Sequence, residues 1–221
     1  MIRALIFDFD GLILETEVPC YEAWREIYRD YGFELPLDLW QTTIGTIGGF
    51  DPLAYLEERL ERPLDREEIA RRHRARHLAL TALRPVSAGV AEMLRAAEKA
   101  GLLLGVASSS SRGWVTGHLT RLGLLPYFDA IKCRDDVTRV KPDPELYLVS
   151  LGALGVEAAE AVAIEDSPPG IIAAKEAGLF CVAVPSELTK GMDFGRADLR
   201  LGSLAEIGLE ELLARAAGEA A

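Results

Sequence analysis

Short apolar runs that stop abruptly at acidic or hydroxyl residues punctuate this chain. Residues 3 to 9 run apolar into Asp8, Asp10 and Gly11, the pattern of a strand buried on both faces and then a turn. Comparable runs occupy Leu102 to Ala107, Ala161 to Ile164 and Phe180 to Val184, with a weaker one near Asp129 to Cys133. Helical periodicity precedes the strong runs, and strands alternating with helices predict an α/β fold, a parallel sheet with helices on both faces.

Residues 16 to 84 break that rhythm. They offer helical segments near 19 to 31, 36 to 43, 51 to 61 and 65 to 82 and no convincing strand, which predicts an inserted all-α cap domain. The catalytic core is then expected to comprise residues 1–15 and 85–221, with the cap at 16–84. Its links lie near Leu14 to Pro19 and Arg84 to Ala88, where Pro19 and Pro85 interrupt helical continuity.

Composition narrows the partners. The chain has 221 residues, 49% hydrophobic and 27% charged, an ordinary globular balance. Thirty-five acidic residues against 24 basic ones leave a formal charge of -11, so attraction to nucleic acid or to an anionic membrane is disfavoured and a small-molecule partner is expected. The Arg71 to His77 segment follows Glu67 and Glu68 and reads as a solvated helix face. Cys20, Cys133 and Cys181 follow no metal or redox spacing, and with no apolar stretch long enough for a signal or a membrane span the expectation is a monomer in the reducing cytoplasm, without disulfides.

Candidate chemistry sits where the apolar runs end, because ligands of open parallel sheets bind beyond the carboxyl ends of the strands. Those ends read Asp8-Phe9-Asp10-Gly11, Ser108-Ser109-Ser110-Ser111, Lys141-Pro142-Asp143-Pro144 and Glu165-Asp166-Ser167. Carboxylates two apart in extended chain point to one side, and Gly11 permits a tight turn. Asp8, Asp10, Glu165 and Asp166 together repel one another unless a cation joins them. Carboxylate oxygens without thiolate or imidazole favour Mg²⁺, and Mg²⁺ favours a substrate phosphate, for which Lys141 supplies a positive charge and Ser108 neutral donors. Ser167 before Pro168 and Pro169 reads as a helix cap. His73, His77 and His118 lack a ligand pattern and read as surface or packing residues, and Trp24, Tyr28 and Tyr31 as cap core.

These four motifs, in this order over essentially the whole chain, resemble the haloacid dehalogenase superfamily, in its phosphatase and phosphomutase branch with a Rossmann-like core and a helical cap. The resemblance implies an Mg²⁺-dependent phosphoric monoester hydrolase working through an aspartyl phosphate. Asp8 would be the nucleophile and Asp10 the acid and base, protonated at the first step, with Ser108 and Lys141 completing the catalytic set. Asp8, Asp10 (through its carbonyl) and Asp166 would hold the metal, with Glu165 as a further ligand. Gly11, Ser109, Cys20, Gly45 and Gly48 are the expected substrate-binding positions, the last three on a cap face that includes Tyr21 and Thr43 to Phe50.

The same resemblance sorts the branches. Dehalogenases lack an aspartate at the position of Asp10, and phosphonate-cleaving relatives need a cap lysine, whereas the first lysine here is Lys99. Sugar phosphomutases carry a cap histidine where Cys20 stands and a cap arginine where Gly48 or Gly49 stands, so hydrolysis of a small phosphorylated metabolite, such as a sugar phosphate, is the expectation. A phosphoglucomutase-like activity is the alternative, and a non-catalytic phospho-ligand-binding protein the alternative of another class. Glu15 replaces the aspartate common at the end of the first motif, which bears on the hinge.

Overall fold

The apolar run Ala4–Phe7 forms β1, each of its four side chains fully buried. In the computed structural model, which describes residues 1–45 and 49–218, β2 (Leu103–Ala107), β3 (Ala130–Lys132), β4 (Ala161–Glu165), β5 (Phe180–Ala183) and β6 (Leu199–Arg200) join it in one sheet of order β3-β2-β1-β4-β5-β6, every pair parallel. Side chains alternate between the faces of a strand, so burial on both faces needs apolar residues at every position. Leu5, Phe7, Val162, Ile164 and Val182 face one hydrophobic cluster, and Ala4, Ile6, Ala161, Ala163 and Cys181 the other. The sequence does not announce β6, whose two residues are half-buried and exposed.

Helices cover both faces. α5 (Val90–Lys99), α6 (Arg112–Arg121) and α9 (Leu209–Ala216) carry the first cluster, while α7 (Glu145–Leu154) and α8 (Pro168–Glu176) carry the second. α5 shows why: Val90, Met93, Leu94 and Ala97 are buried at the i, i+3, i+4, i+7 spacing of one helical face. The three cysteines are free thiols. Among the described residues no helix is long and apolar enough to cross a membrane.

Between β1 and α5 the chain forms the all-α insert, α1 (Glu17–Asp30), α2 (Leu37–Gln41), α3 (Pro52–Leu60) and α4 (Arg66–Ala82), close to the predicted helices. Asp51 and Asp65 start α3 and α4 by accepting backbone N–H bonds from the first helical turns. Ile27, Tyr28, Trp40, Leu56 and Ile69 form a separate apolar cluster. Leu188, from the loop after β5, joins it, and Gln41 Nε2 donates to the Leu188 carbonyl at 2.6 Å. The two crossings to the insert lie side by side, Leu14 bridging antiparallel to Val86 and the Ser87 N–H donating to the Ile13 carbonyl at 3.0 Å. Glu15 accepts the N–H groups of Glu17 and Val18, at 2.9 and 3.0 Å, so its longer side chain secures the start of α1 at this crossing.

Gly89, at the return crossing, has φ +83°, and a Cβ there would lie 2.2 Å from the Ala205 nitrogen. Gly89→Ala adds a left-handed non-glycine residue to a backbone clash, so a loss of about 1–3 kcal/mol is expected. Urea unfolding reads it out, and an unchanged midpoint would show that this junction does not constrain the fold.

Candidate active site

β1 lies between β2 and β4, where the strand order reverses and the strand ends open a crevice. The Asp8 N–H donates to the Ile164 carbonyl at 2.9 Å, which seats Asp8 one residue beyond β1 and beside the end of β4. Glu165 shares the face of Ala161 and Ala163, the face that α7 covers, so its Oε1 meets the Tyr147 hydroxyl of α7. Lys141, only 2% exposed, donates to Asp8 Oδ1 at 2.5 Å and lies 2.6 Å from Glu165 Oε1. Asp8, Glu165 and Asp166 each bring a carboxylate oxygen within 4.8 Å of the others.

Three buried carboxylates thus crowd together, and one ammonium pairs with two of them. Burial pushes the Asp8 carboxyl up to about 7, with Lys141 pulling it down and Glu165 and Asp10 adding to the rise. Burial, then Asp8 and Glu165, push Asp166 well above the carboxylate range. Burial draws the Lys141 ammonium down, but Asp8 and Glu165 outweigh it and hold it above its ordinary value. Asp166 Oδ2 and Glu165 Oε2 are buried without a hydrogen-bond partner. An orphaned carboxylate oxygen in an all-oxygen cluster suits a hard divalent cation. Two glycines shape the cluster: a Cβ on Gly11 (φ +80°) would lie 2.1 Å from Asp166 Oδ2, and one on Gly170 would lie 1.9 Å from Glu165 Oε2.

Asp10 is held by neutral donors. Its Oδ1 accepts from Thr16 Oγ1 at 2.7 Å and Trp114 Nε1 at 2.8 Å, and its Oδ2 from Ser110 Oγ at 2.7 Å and Ser108 Oγ at 3.3 Å. A proton on Asp10, as the sequence reading requires, therefore needs a serine or threonine hydroxyl to turn round and accept. Ser108 is fully buried, accepts the Ser110 N–H at 3.0 Å and faces Asp10 rather than the cavity. Ser109 lines the cavity, and its hydroxyl is buried without a partner.

A cavity of about 670 Å³ joins this cluster to the insert. Of the positions expected to touch substrate, Ser109, Cys20 and Gly45 line it, Gly11 instead lies against Asp166, and Gly48 falls outside the described residues. Gly45 (φ +78°) presses on the core, since a Cβ there would lie 2.4 Å from Ser167 Oγ. Ser167 occupies the N-cap position of α8 but makes no side-chain cap bond, contrary to the capping expectation. Burial pushes the Cys20 thiol well up, which leaves it neutral.

The wall also contains residues that the sequence reading did not place there. Ala70, His73, Arg74 and His77 of α4 form an i, i+3, i+4, i+7 stripe along it. Within the run read as a solvated face, Arg71, Arg72 and Arg76 do pair outward with Glu68, Asp30 and Glu26, while Arg74 turns to the cavity. Burial pushes His73 down to about 4 and lowers His77, so both are neutral near pH 7. His118 packs in the core, as expected. Glu17 of α1 also lines the cavity, its carboxyl without a hydrogen bond to any described residue and pushed up to about 8 by burial and by nearby Asp10 and Glu15. The helical stripe of α4 was the available sequence signal; for Glu17 and Trp114 none distinguished them from ordinary helix residues.

Known proteins share this arrangement over nearly all of the chain. A family model for haloacid dehalogenase-like hydrolases matches residues 5–184. YhcW of Bacillus subtilis (strain 168), which carries a provisional phosphatase name, is 48% identical over 213 residues, spanning 96% of this chain and 97% of its own. A phosphorylated carbohydrates phosphatase of Thermotoga maritima is 32% identical, with 96% of this chain and 97% of its own covered. The crystal structure of a CbbY mutant from Rhodobacter sphaeroides in complex with xylulose-(1,5)bisphosphate superposes with a TM-score of 0.78 at 32% identity, covering 94% of this chain and 97% of that one. The chain belongs to the haloacid dehalogenase-like hydrolases, as a phosphatase of that family.

Proposed function

We propose that this phosphatase is Mg²⁺-dependent and transfers the phosphoryl group of a small phosphorylated sugar or polyol to Asp8 before hydrolysis. The observation that carries the reading is the Asp8 carboxylate on the cavity wall, with Lys141 on one oxygen and the orphaned oxygen of Asp166 nearby. Residues 1–15 and 85–221 act as the catalytic core and 16–84 as a cap that selects the substrate.

Asp8 attacks phosphorus, and the bond to the leaving oxygen breaks as Asp10 supplies its proton; Asp10 then takes a proton from the water that cleaves the aspartyl phosphate. Lys141 stays paired with Asp8 and neutralises charge on the phosphoryl oxygens, and the hydroxyl of Ser109 offers them a neutral donor. Glu165 holds Lys141 in place with one oxygen, and its second, partnerless oxygen leaves it a further ligand beside Asp8, Asp166 and the Asp10 carbonyl. Bound Mg²⁺ supplies the positive charge that keeps Asp8 ionised and balances the phosphoryl group. The cap, closed by the Gly45 contact, excludes bulk water.

Arg74 and Arg134 favour a refinement. Both line the cavity, and neither forms an ion pair or a side-chain hydrogen bond with a described residue. Two guanidinium groups on the cavity wall, unpaired with any described carboxylate, suit a second anionic group on the substrate. They supply the clamp that the sequence reading found missing at Gly48 or Gly49, and they keep bisphosphates among the substrate candidates, with phosphomutase activity as the second reading.

Three outcomes are expected. Hydrolysis of a panel of sugar and polyol phosphates requires Mg²⁺, and Asp8→Asn abolishes it; persistence of turnover in the variant would exclude Asp8 as the nucleophile. Arg74→Ala raises KM for a sugar bisphosphate about tenfold, the effect of one lost charged hydrogen bond, and much less for a monophosphate aryl ester; equal effects would remove the second-anion site.

The third outcome concerns pH. Asp8 and Glu17, with ordinary values of 3.8 and 4.5 raised to about 7 and 8, bind protons more tightly folded than unfolded, so without metal their contribution to stability falls as pH rises through this range. His73, lowered from 6.5 to about 4, has the opposite slope, present above 6.5 and lost as pH falls towards 4. Between pH 7 and 8 the carboxyl groups dominate. In chelator the Tm falls from pH 7 to pH 8, and Mg²⁺ restores more of it at pH 8, as differential scanning calorimetry can measure; a Tm that rises in chelator would contradict the buried-carboxyl cluster.

A further inference from the structure

Trp114 is the ring on which the aim of Asp10 turns. It lies on the first turn of α6, and its indole N–H donates to Asp10 Oδ1 at 2.8 Å. The ring does not stand alone. It lies 4.2 Å from His118 on its own helix, edge to face, and 4.9 Å from His77 on α4. His118 stacks on Phe9, the residue before Asp10, at 6.3 Å, and on the cap side the row continues from His77 through His73 to Trp24 of α1. A line of rings thus crosses from the insert to the sheet, and one member presents its polar edge to the acid.

His77 touches both of the groups that donate to Asp10 Oδ1. Its ring packs on Trp114, and its Nε2 lies 3.2 Å from the Thr16 carbonyl, while the Thr16 hydroxyl donates to the same carboxylate oxygen at 2.7 Å. An imidazole kept neutral by burial donates one N–H to that carbonyl. An indole N–H only donates, so Trp114 holds Oδ1 of Asp10 as an acceptor and, with Ser110 on Oδ2, fixes how the carboxyl is turned.

We propose that Trp114 is a positioning residue that fixes the orientation of the Asp10 carboxyl, and that His77 makes this orientation depend on α4 being seated against the core. The inference rests on Asp10 acting as proton donor to the leaving oxygen. Loss of the indole N–H then frees the carboxyl to rotate, and the cost falls on substrates whose leaving group needs the proton. Phosphoryl transfer to Asp8 from a good leaving group depends on it far less.

Trp114→Phe and His77→Leu, compared with wild type on a series of substituted phenyl phosphates with Mg²⁺, separate these roles because the esters are similar in size and differ in leaving-group basicity. Full general acid catalysis is worth roughly 10²–10⁴-fold, so Trp114→Phe should lower kcat on phenyl phosphate about tenfold more than on p-nitrophenyl phosphate, and His77→Leu should do the same to a smaller extent. Equal losses across the series, or none, would overturn the role of Trp114. A steeper dependence in Trp114→Phe with none in His77→Leu would overturn the link to α4. Should Trp114→Phe fail to fold, judged by its unfolding midpoint, His77→Leu with Trp114 intact decides both parts. Wild type that turns over none of the esters would instead refute the phosphatase reading itself, and this inference with it.

Discussion

One lysine shared among buried carboxylates is the interaction on which this molecule depends. Lys141 reaches Asp8 and Glu165 from a position that is 2% exposed, and taking such charges out of water is costly unless they are paired and hydrogen-bonded. Lys141 satisfies part of that requirement and Tyr147 a further part. What is left over is negative: Asp166 and Glu165 each keep an oxygen that has no partner. A site that is short of positive charge at its centre is poised for a cation and for chemistry that brings a transferable group to a carboxylate, which is the balance a phosphoryl-transferring site requires.

The sheet produces this concentration of charge through its strand order. With β1 and β4 adjacent and in register, the residues that follow Phe7 and Ile164 emerge together, and both strands are apolar up to that point. Bulk water is held off by the same packing that brings the acids together. Glycine is needed where the backbone passes closest: at Gly11 and Gly170 the space a side chain would fill is already occupied by Asp166 and Glu165.

The helical insert closes the other side of the cavity with a different chemistry. Its wall offers neutral imidazoles, a buried carboxyl at Glu17 and the guanidinium of Arg74, groups suited to recognising hydroxyls and a second anion rather than to bond breaking. A phosphatase named for phosphorylated carbohydrates matches nearly the whole length of this chain, and a CbbY structure shares its architecture. The ring row through His77 and Trp114 physically links the two halves, because it begins in the insert and ends on the carboxylate of Asp10.

Much of this was legible in the chain itself. Short apolar runs bounded by turn residues read as strands covered on both faces, so the sheet, the helical insert and the acidic strand ends followed from local pattern, and the four motifs in order carried the resemblance that groups Asp8, Lys141 and Asp166 in one site. Tertiary structure alone decided the rest, since contacts between distant segments leave no periodic trace. It turned Ser108 inward to Asp10 and left the buried hydroxyl of Ser109 without a partner, committed one oxygen of Glu165 to Lys141 and Tyr147, and brought Thr16 and Trp114, separated by 98 positions, onto a single carboxylate with His77 packed against both. Periodicity records which face of an element is buried; what that face meets is determined only when the elements pack.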